Sequence, residues 1–172
     1  MKKIFLITLI ALTVYTAAQA VPGEVNFDKD ASYAIGLNIG ASLREGMTAD
    51  SVYPDIDEFL MGMRNGIEER FLRFNLETAS ELIDSAFNAL TERLEIAQAV
   101  PGEVNFDKDA SYALGLYIGD SLKEGMIADG VYPDIDEFLI GMRDGIENRL
   151  ARFDLETARH LIDVAFALKD SN

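Results

Sequence analysis

The 172-residue chain has no cysteine, no tryptophan, one histidine and four prolines. Without cysteine it can form no disulfide, offer no thiolate nucleophile and carry no lipid on a thiol. The single imidazole, His160, leaves no second histidine for a zinc site. It is also the sole histidine base for Ser32, Ser111, Ser42 or Ser121, so nucleophilic catalysis is not expected. Basic residues are few, 15 against 30 acids, for a net charge of −15. That balance disfavours nucleic acid and anionic headgroups as partners and favours solubility or cationic partners. Strand-like alternation is missing throughout, which predicts an all-α protein.

Hydrophobic runs are also short. The longest covers residues 4–14 and follows Lys2 and Lys3, with Ala18-Gln19-Ala20 behind it. A positive start, an apolar stretch too short to span a bilayer comfortably and a small-residue cleavage site together read as a secretory signal over residues 1–20. Its removal takes away Lys2 and Lys3 and no acid, so the mature charge moves from −15 to −17. The expected product is a periplasmic or secreted protein, free of the membrane once the signal is cut.

What the chain does have is a second copy of itself. AQAVPGEVNFDKDASYA occurs at residues 18–34 and again, letter for letter, at 97–113. A shift of 79 positions aligns residues 21–87 with 100–166 without a gap, and about three-quarters of the aligned positions are identical. The second AQA has no apolar run before it and is not expected to be cleaved. The pattern divides the mature chain into a first unit over residues 21–96, a linker over 97–106 and a second unit over 107–172. Two copies are too few for a stacked solenoid.

Each copy reads as three helices. The first starts near Asp28 or Asp30, which can cap free N–H groups, and is expected to stop at Gly46. It is apolar or small nearly all round, so it needs cover on several sides, which a lone three-helix unit would struggle to provide. The second opens at Asp55 with Glu58 three residues on, a capping-box spacing, and lines up Phe59, Met63 and Ile67. The third opens at Asn75, or Asp154 in copy two, and carries Leu76, Ala79, Ile83, Ala86 and Leu90 at helical spacing.

Glycines recur four apart within these helices: Gly36 and Gly40, Gly62 and Gly66, then Gly115 and Gly119, Gly141 and Gly145. A mid-helix glycine costs about 0.5–1 kcal/mol against alanine. The pairs therefore predict faces where helix backbones cross closely. Asp28-Lys29-Asp30 and Asp55-Ile56-Asp57 have alternating carboxylates, but the glycine and distal glutamate of a calcium loop are missing, and helix capping explains these acids. No catalytic, cofactor-binding or metal-ligating set is expected. Met47, Met63, Phe71, Met126 and Met142 are candidates for a surface that accepts varied polypeptides, with core packing as the competing reading.

At DKDASYALGLYIGDSLKEG, followed by DIDEFLIGMRDGIENRL, the chain resembles the helical domain that precedes FKBP-type peptidyl-prolyl isomerases of the Mip-like kind. The matching features are Ser111-Tyr112-Ala113 leading to Gly115 and Ile118-Gly119, then Phe138-Leu139 with Gly141-Met142-Arg143-Asp144. Residues 28–88 carry the same pattern. The resemblance implies a dimerisation domain whose first two helices interlace between subunits, with chaperone-like holding of clients in the cleft it helps to build. After Phe166 only six residues follow, with no β-rich segment, so isomerase activity is not expected.

Two tandem units could then supply both halves of an interlaced pair. The expected architecture is two tandem three-helix units interlaced as a pseudo-twofold six-helix domain, and exchange between two chains as a homodimer is the alternative. The expected function is a non-catalytic module of envelope protein folding, binding non-native polypeptide or an FKBP-type isomerase. Residual isomerase activity, or a structural remnant, are the competing readings.

Overall fold

A computed structural model describes residues 25–70, 72–96 and 104–169. The expected signal over residues 1–20 and residues 97–103 of the expected linker lie outside the described residues. The fold is all-α. Along the chain run β1 (Val25–Asn26), α1 (Lys29–Asp50), β2 (Val52–Tyr53), α2 (Ile56–Glu68), α3 (Leu76–Ile96), β3 (Val104–Asn105), α4 (Lys108–Ala128), β4 (Val131–Tyr132), α5 (Ile135–Glu147) and α6 (Leu155–Lys169).

Two compact units form, one from Met1–Gly46 with Glu124–Asn172 and one from Met47–Lys123. Neither coincides with a sequence copy. The first unit draws its first helix, α1, from copy one, and its second and third, α5 and α6, from copy two. The second unit does the reverse, with α4 from copy two beside α2 and α3 from copy one.

Local chemistry sets the helix starts. Asp28 accepts the Ala31 N–H at 2.7 Å, and Asp107 does the same for Ala110 at 2.8 Å. Asp55 and Asp134, both with extended backbone, cap α2 and α5 by accepting from Glu58 N and Glu137 N. Asn75 and Asp154 cap α3 and α6 through the N–H groups of Thr78 and Thr157. The helix ends differ from the expected stop at Gly46, because α1 runs on to Asp50 and α4 through Gly125 to Ala128. Burial of Met47 at 4 % exposure rewards the extra turn of α1 by more than glycine's helix penalty. The chain turns only at Ser51 and Gly130, both left-handed, at φ 56° and 60°.

The expected linker also proves partly structured. Val104 and Asn105 form β3, which pairs in parallel with β2 through Val52↔Val104 and Tyr53↔Asn105. In the first unit β1 pairs likewise with β4, Val25↔Val131 and Asn26↔Tyr132. Two residues are too few to show an alternating pattern, which is why no strand is legible there. Each bridge ties the entry of a first helix to the entry of the second helix it packs on, and Phe27 N–H to Tyr132 O at 3.1 Å and Phe106 N–H to Tyr53 O at 3.0 Å extend it.

All eight paired glycines lie at helix crossings. A Cβ on Gly36 would overlap the Phe138 carbonyl and stand 2.9 Å from Met142 N. Gly40 meets the Met142 backbone, while Gly141 and Gly145 meet the backbones of Tyr33, Leu37 and Gly40 in return. The second unit repeats this: Gly115 and Gly119 face Phe59 and Met63, and Gly62 and Gly66 face Tyr112 and Leu116. Residues 110–116 of α4 are all buried, as its all-round apolar pattern requires. On the third helices, Ala158 packs under Tyr33, Ala34 and Leu37, and Ala79 under Tyr112, Ala113 and Leu116. Phe27 meets Phe166 edge-on at 5.2 Å, and Phe106 meets Phe87 at 5.3 Å.

The contrast with Gly125, which has nothing within 4 Å of an added Cβ, gives a direct check. Gly36→Ala and Gly115→Ala must push backbone apart and are expected to destabilise by about 1–3 kcal/mol or more. Gly125→Ala is expected to stabilise by about 0.5–1 kcal/mol. Chemical denaturation of the three variants measures this; equal effects at Gly36 and Gly125 would remove the close-crossing account.

Candidate functional site

In the first unit α1 delivers Tyr33, 1 % exposed, to the far end of α5. Its hydroxyl donates to Asp144 Oδ2 at 2.7 Å and accepts the Arg152 N–H at 2.9 Å. The Arg152 guanidinium lies over the ring, 4.3 Å from its centroid, and bonds Glu137 Oε2 at 2.8 Å and Asp30 Oδ1 at 3.1 Å. Phe153 meets the same ring edge-on at 5.6 Å. One aromatic side chain is thus held by α5, by the α5–α6 connection and, through Arg152, by α1 itself. Burial pushes the Tyr33 pKa above its ordinary 10.0; the Arg152 N–H works against this, while Asp144 adds to it. The Glu137 hydrogen bond, helped by Asp30, raises that of Arg152, against a smaller opposing effect of burial.

Tyr112 holds the equivalent place in the second unit, with the Arg73 guanidinium 4.3 Å from its ring centroid and bonded to Glu58 Oε2 at 2.7 Å and Asp109 Oδ1 at 3.0 Å. One residue differs. Asn65 stands where the first unit has Asp144, and its Nδ2 donates to the Tyr112 hydroxyl at 2.9 Å. Tyr33 therefore donates where Tyr112 accepts.

The serines are fasteners. Ser32 is 0 % exposed; its hydroxyl donates to Asp28 O at 2.7 Å and accepts the Asp134 N–H at 2.9 Å. Ser111 does the same for Asp107 O and the Asp55 N–H, at 2.7 and 2.9 Å. In a capping box the glutamate three residues on would take that N–H. Here a serine from the other copy takes it, which frees Glu58 and Glu137 to bind Arg73 and Arg152. His160 is exposed on α6, and no group of three metal-ligating side chains gathers among the described residues.

Three of the candidate polypeptide-binding residues are core. Met63 and Met142, whose backbones meet glycines of the facing helices, are 0 % exposed, and Met47 is 4 % exposed. Met126 is half-buried, and Phe71 lies outside the described residues. The exposed apolar side chains are others, among them Met61 and Leu72 in the second unit and Ile140, Leu150 and Leu168 in the first.

A groove of about 340 Å³ opens in the first unit beside the tyrosine clamp. Leu37, Ala41 and Arg44 of α1 form one wall, and the end of α5 with the connection to α6, from Asp144 to Leu155, forms the other. Its apolar surface comes from Leu37, Ala41, Leu150, Phe153 and Leu155, and three arginines line it in an otherwise acidic chain. The sequence reading missed this groove, since its walls come from different copies; the one signal in the sequence is the cluster of differences between residues 69–72 and 148–151.

No protein-family model, curated protein or solved structure matches the chain. No helix among the described residues is long and apolar enough to cross a membrane.

The tyrosine clamp predicts a pH signature. With its folded pKa above 10.0, Tyr33 keeps its proton when the unfolded chain has already lost its own. Its contribution is full below pH 10 and is lost as the pH rises through the folded value. Tyr33→Phe is expected to cost about 1–3 kcal/mol at neutral pH, by stranding Asp144 and the Arg152 N–H. It should also reduce the fall in stability above pH 10, measured by denaturation at several pH values; an unchanged alkaline slope would count against the clamp.

Proposed function

We propose that this chain is an exported, non-catalytic helical module of envelope protein folding, which supplies both partners of a helix exchange from one polypeptide and holds non-native polypeptide. The observation that carries this reading is the composition of the compact units, each with its first helix from one copy and its second and third from the other. That composition supports the exchange implied by the resemblance to the helical domain of Mip-like isomerases, brought within one chain by the duplication. A short tether between copies gives an effective concentration in the millimolar range, so a second chain competes poorly for the same face.

Client holding is supported by the apolar side chains that remain open. On α6, Val164 at 43 % and Leu168 at 62 % exposure stand one turn apart, and Leu150 is fully exposed beside the groove. Such residues suit weak, varied contacts with unfolded chain. Buried serines, each bonded on both sides to backbone, support a role without nucleophilic chemistry.

Light scattering on the mature protein is expected to give the mass of one chain at low micromolar concentration; a uniform dimer would overturn exchange within the chain. Stoichiometric protein is expected to slow aggregation of an unfolded substrate and to leave prolyl isomerisation unchanged. Isomerisation blocked by FKBP inhibitors would overturn the non-catalytic reading, and no effect on aggregation would overturn client holding.

A further inference from the structure

The two copies differ at 15 of the 67 positions aligned between residues 21–87 and 100–166. Seven of those differences fall on the thirteen residues that line the groove of the first unit, leaving eight for the other 54 positions. Divergence is therefore concentrated on the groove, while the glycine crossings and the serine fasteners are the same in both copies.

The nature of the differences points to a ligand. In the second unit Lys123, at the place of Arg44, pairs with Glu69. In the first unit the place of Glu69 is taken by Asn148, and that of Asp120 by Ala41. Two carboxylates of the second unit thus have no counterpart in the groove, while Asp144 and Asp154 stand where that unit has Asn65 and Asn75, and the half-buried Arg44 has no carboxylate partner among the described residues. The other charges there have neighbours of their own: Arg149 Nε lies 2.7 Å from Glu147 Oε2 as an ion pair without hydrogen-bond geometry, Arg152 binds Glu137 and Asp30, Asp144 accepts from Tyr33, and Asp154 caps α6. The second unit thereby shows, within the same chain, the group that a cation at this position binds.

We infer that the groove of the first unit binds a polypeptide segment through a carboxylate set beside apolar side chains, with Arg44 as its cation and Leu37, Ala41, Phe153 and Leu155 as its apolar wall. The volume of about 340 Å³ falls within the range of small-ligand sites, about 300–1,000 Å³. The acidic chain as a whole repels anions, so the selection is local: Arg44 is a guanidinium without a carboxylate partner among the described residues, and a carboxylate is the group that complements it. The carboxylate is that of an acidic side chain between apolar residues; in the second unit Lys123 likewise takes a side-chain carboxylate, that of Glu69. The inference rests on the polypeptide-holding reading above.

The test uses the mature protein and fluorescent short peptides followed by polarisation. One peptide ends in Ala-Leu with a free carboxylate, one is its C-terminal amide, and one is amidated with an internal Glu between leucines. The internal-Glu peptide is expected to bind about tenfold or more tightly than the plain amide; a preference confined to the free C-terminal carboxylate would overturn the side-chain source. Arg44→Gln is expected to remove that preference and Arg44→Lys to keep most of it. Asn148→Glu is expected to abolish binding by supplying the carboxylate internally; the site accepts Glu, since Glu69 adopts the same left-handed cap, φ 53° against 51°. Equal binding of acid and amide peptides, or undiminished binding by Asn148→Glu, would overturn the inference. If aggregation is still slowed in that case, the holding reading stands without the groove; if neither is seen, both fall.

Discussion

Backbone packed on backbone is the contact from which the rest follows. At Gly36 and Gly40 the α1 main chain lies against the α5 main chain with no side chain between them, and Gly141 and Gly145 return the approach. Each glycine costs the helix about 0.5–1 kcal/mol, offset by dispersion contacts that a Cβ layer would push out of range. The proximity also sets the polar geometry. Ser32 reaches the Asp134 N–H at 2.9 Å and Tyr33 reaches Asp144 at 2.7 Å. Hydrogen bonds weaken within a few tenths of an ångström of these lengths, so helices held apart by even one methyl group would lose both. The second unit repeats the arrangement with Gly115 and Gly119, Ser111 and Tyr112.

This constraint explains why the unit of repetition in the sequence differs from the unit of packing. A first helix needs a glycine-faced second helix along its early turns. From Gly40 the chain runs about 15 Å further along α1 before that helix ends at Asp50. The matching face comes from the other copy, at Phe138 and Met142 of α5. The parallel bridges act in the same direction, since β1 pairs with β4 and not with β2.

Much of this was legible in the residues. The caps at Asp28, Asp55 and Asn75 are visible because a short polar side chain in front of an apolar run has few other uses. Paired glycines at helical spacing announce a close crossing, although no pattern names the partner helix. What stayed hidden depended on tertiary context. The end of α1 was set by a buried methionine beyond Gly46, not by the glycine. The bridges were too short to carry a period. Met63 and Met142 read more readily as core than as open surface at their helical spacing, and their full burial agrees with that preference. For the groove, Arg44 and Asn148 stand over a hundred positions apart, and nothing local relates them.

The duplicated frame also gives an internal control on which residues are structural. Arg73 and Arg152 stack on Tyr112 and Tyr33 at the same 4.3 Å and take equivalent pairs of carboxylates. Those residues are the same in both copies, because each is joined to several others and no single change leaves all partners satisfied. The exchange of Asn65 for Asp144 is tolerated for a specific reason: a tyrosine hydroxyl can donate or accept, so either residue completes the bond. Towards the groove such joint constraints end. A cation there needs only one anion, and whether the chain or a ligand provides it is of little consequence to the crossing. Freedom to change is greatest where the frame's demands stop, and it is there that two nearly identical copies differ most.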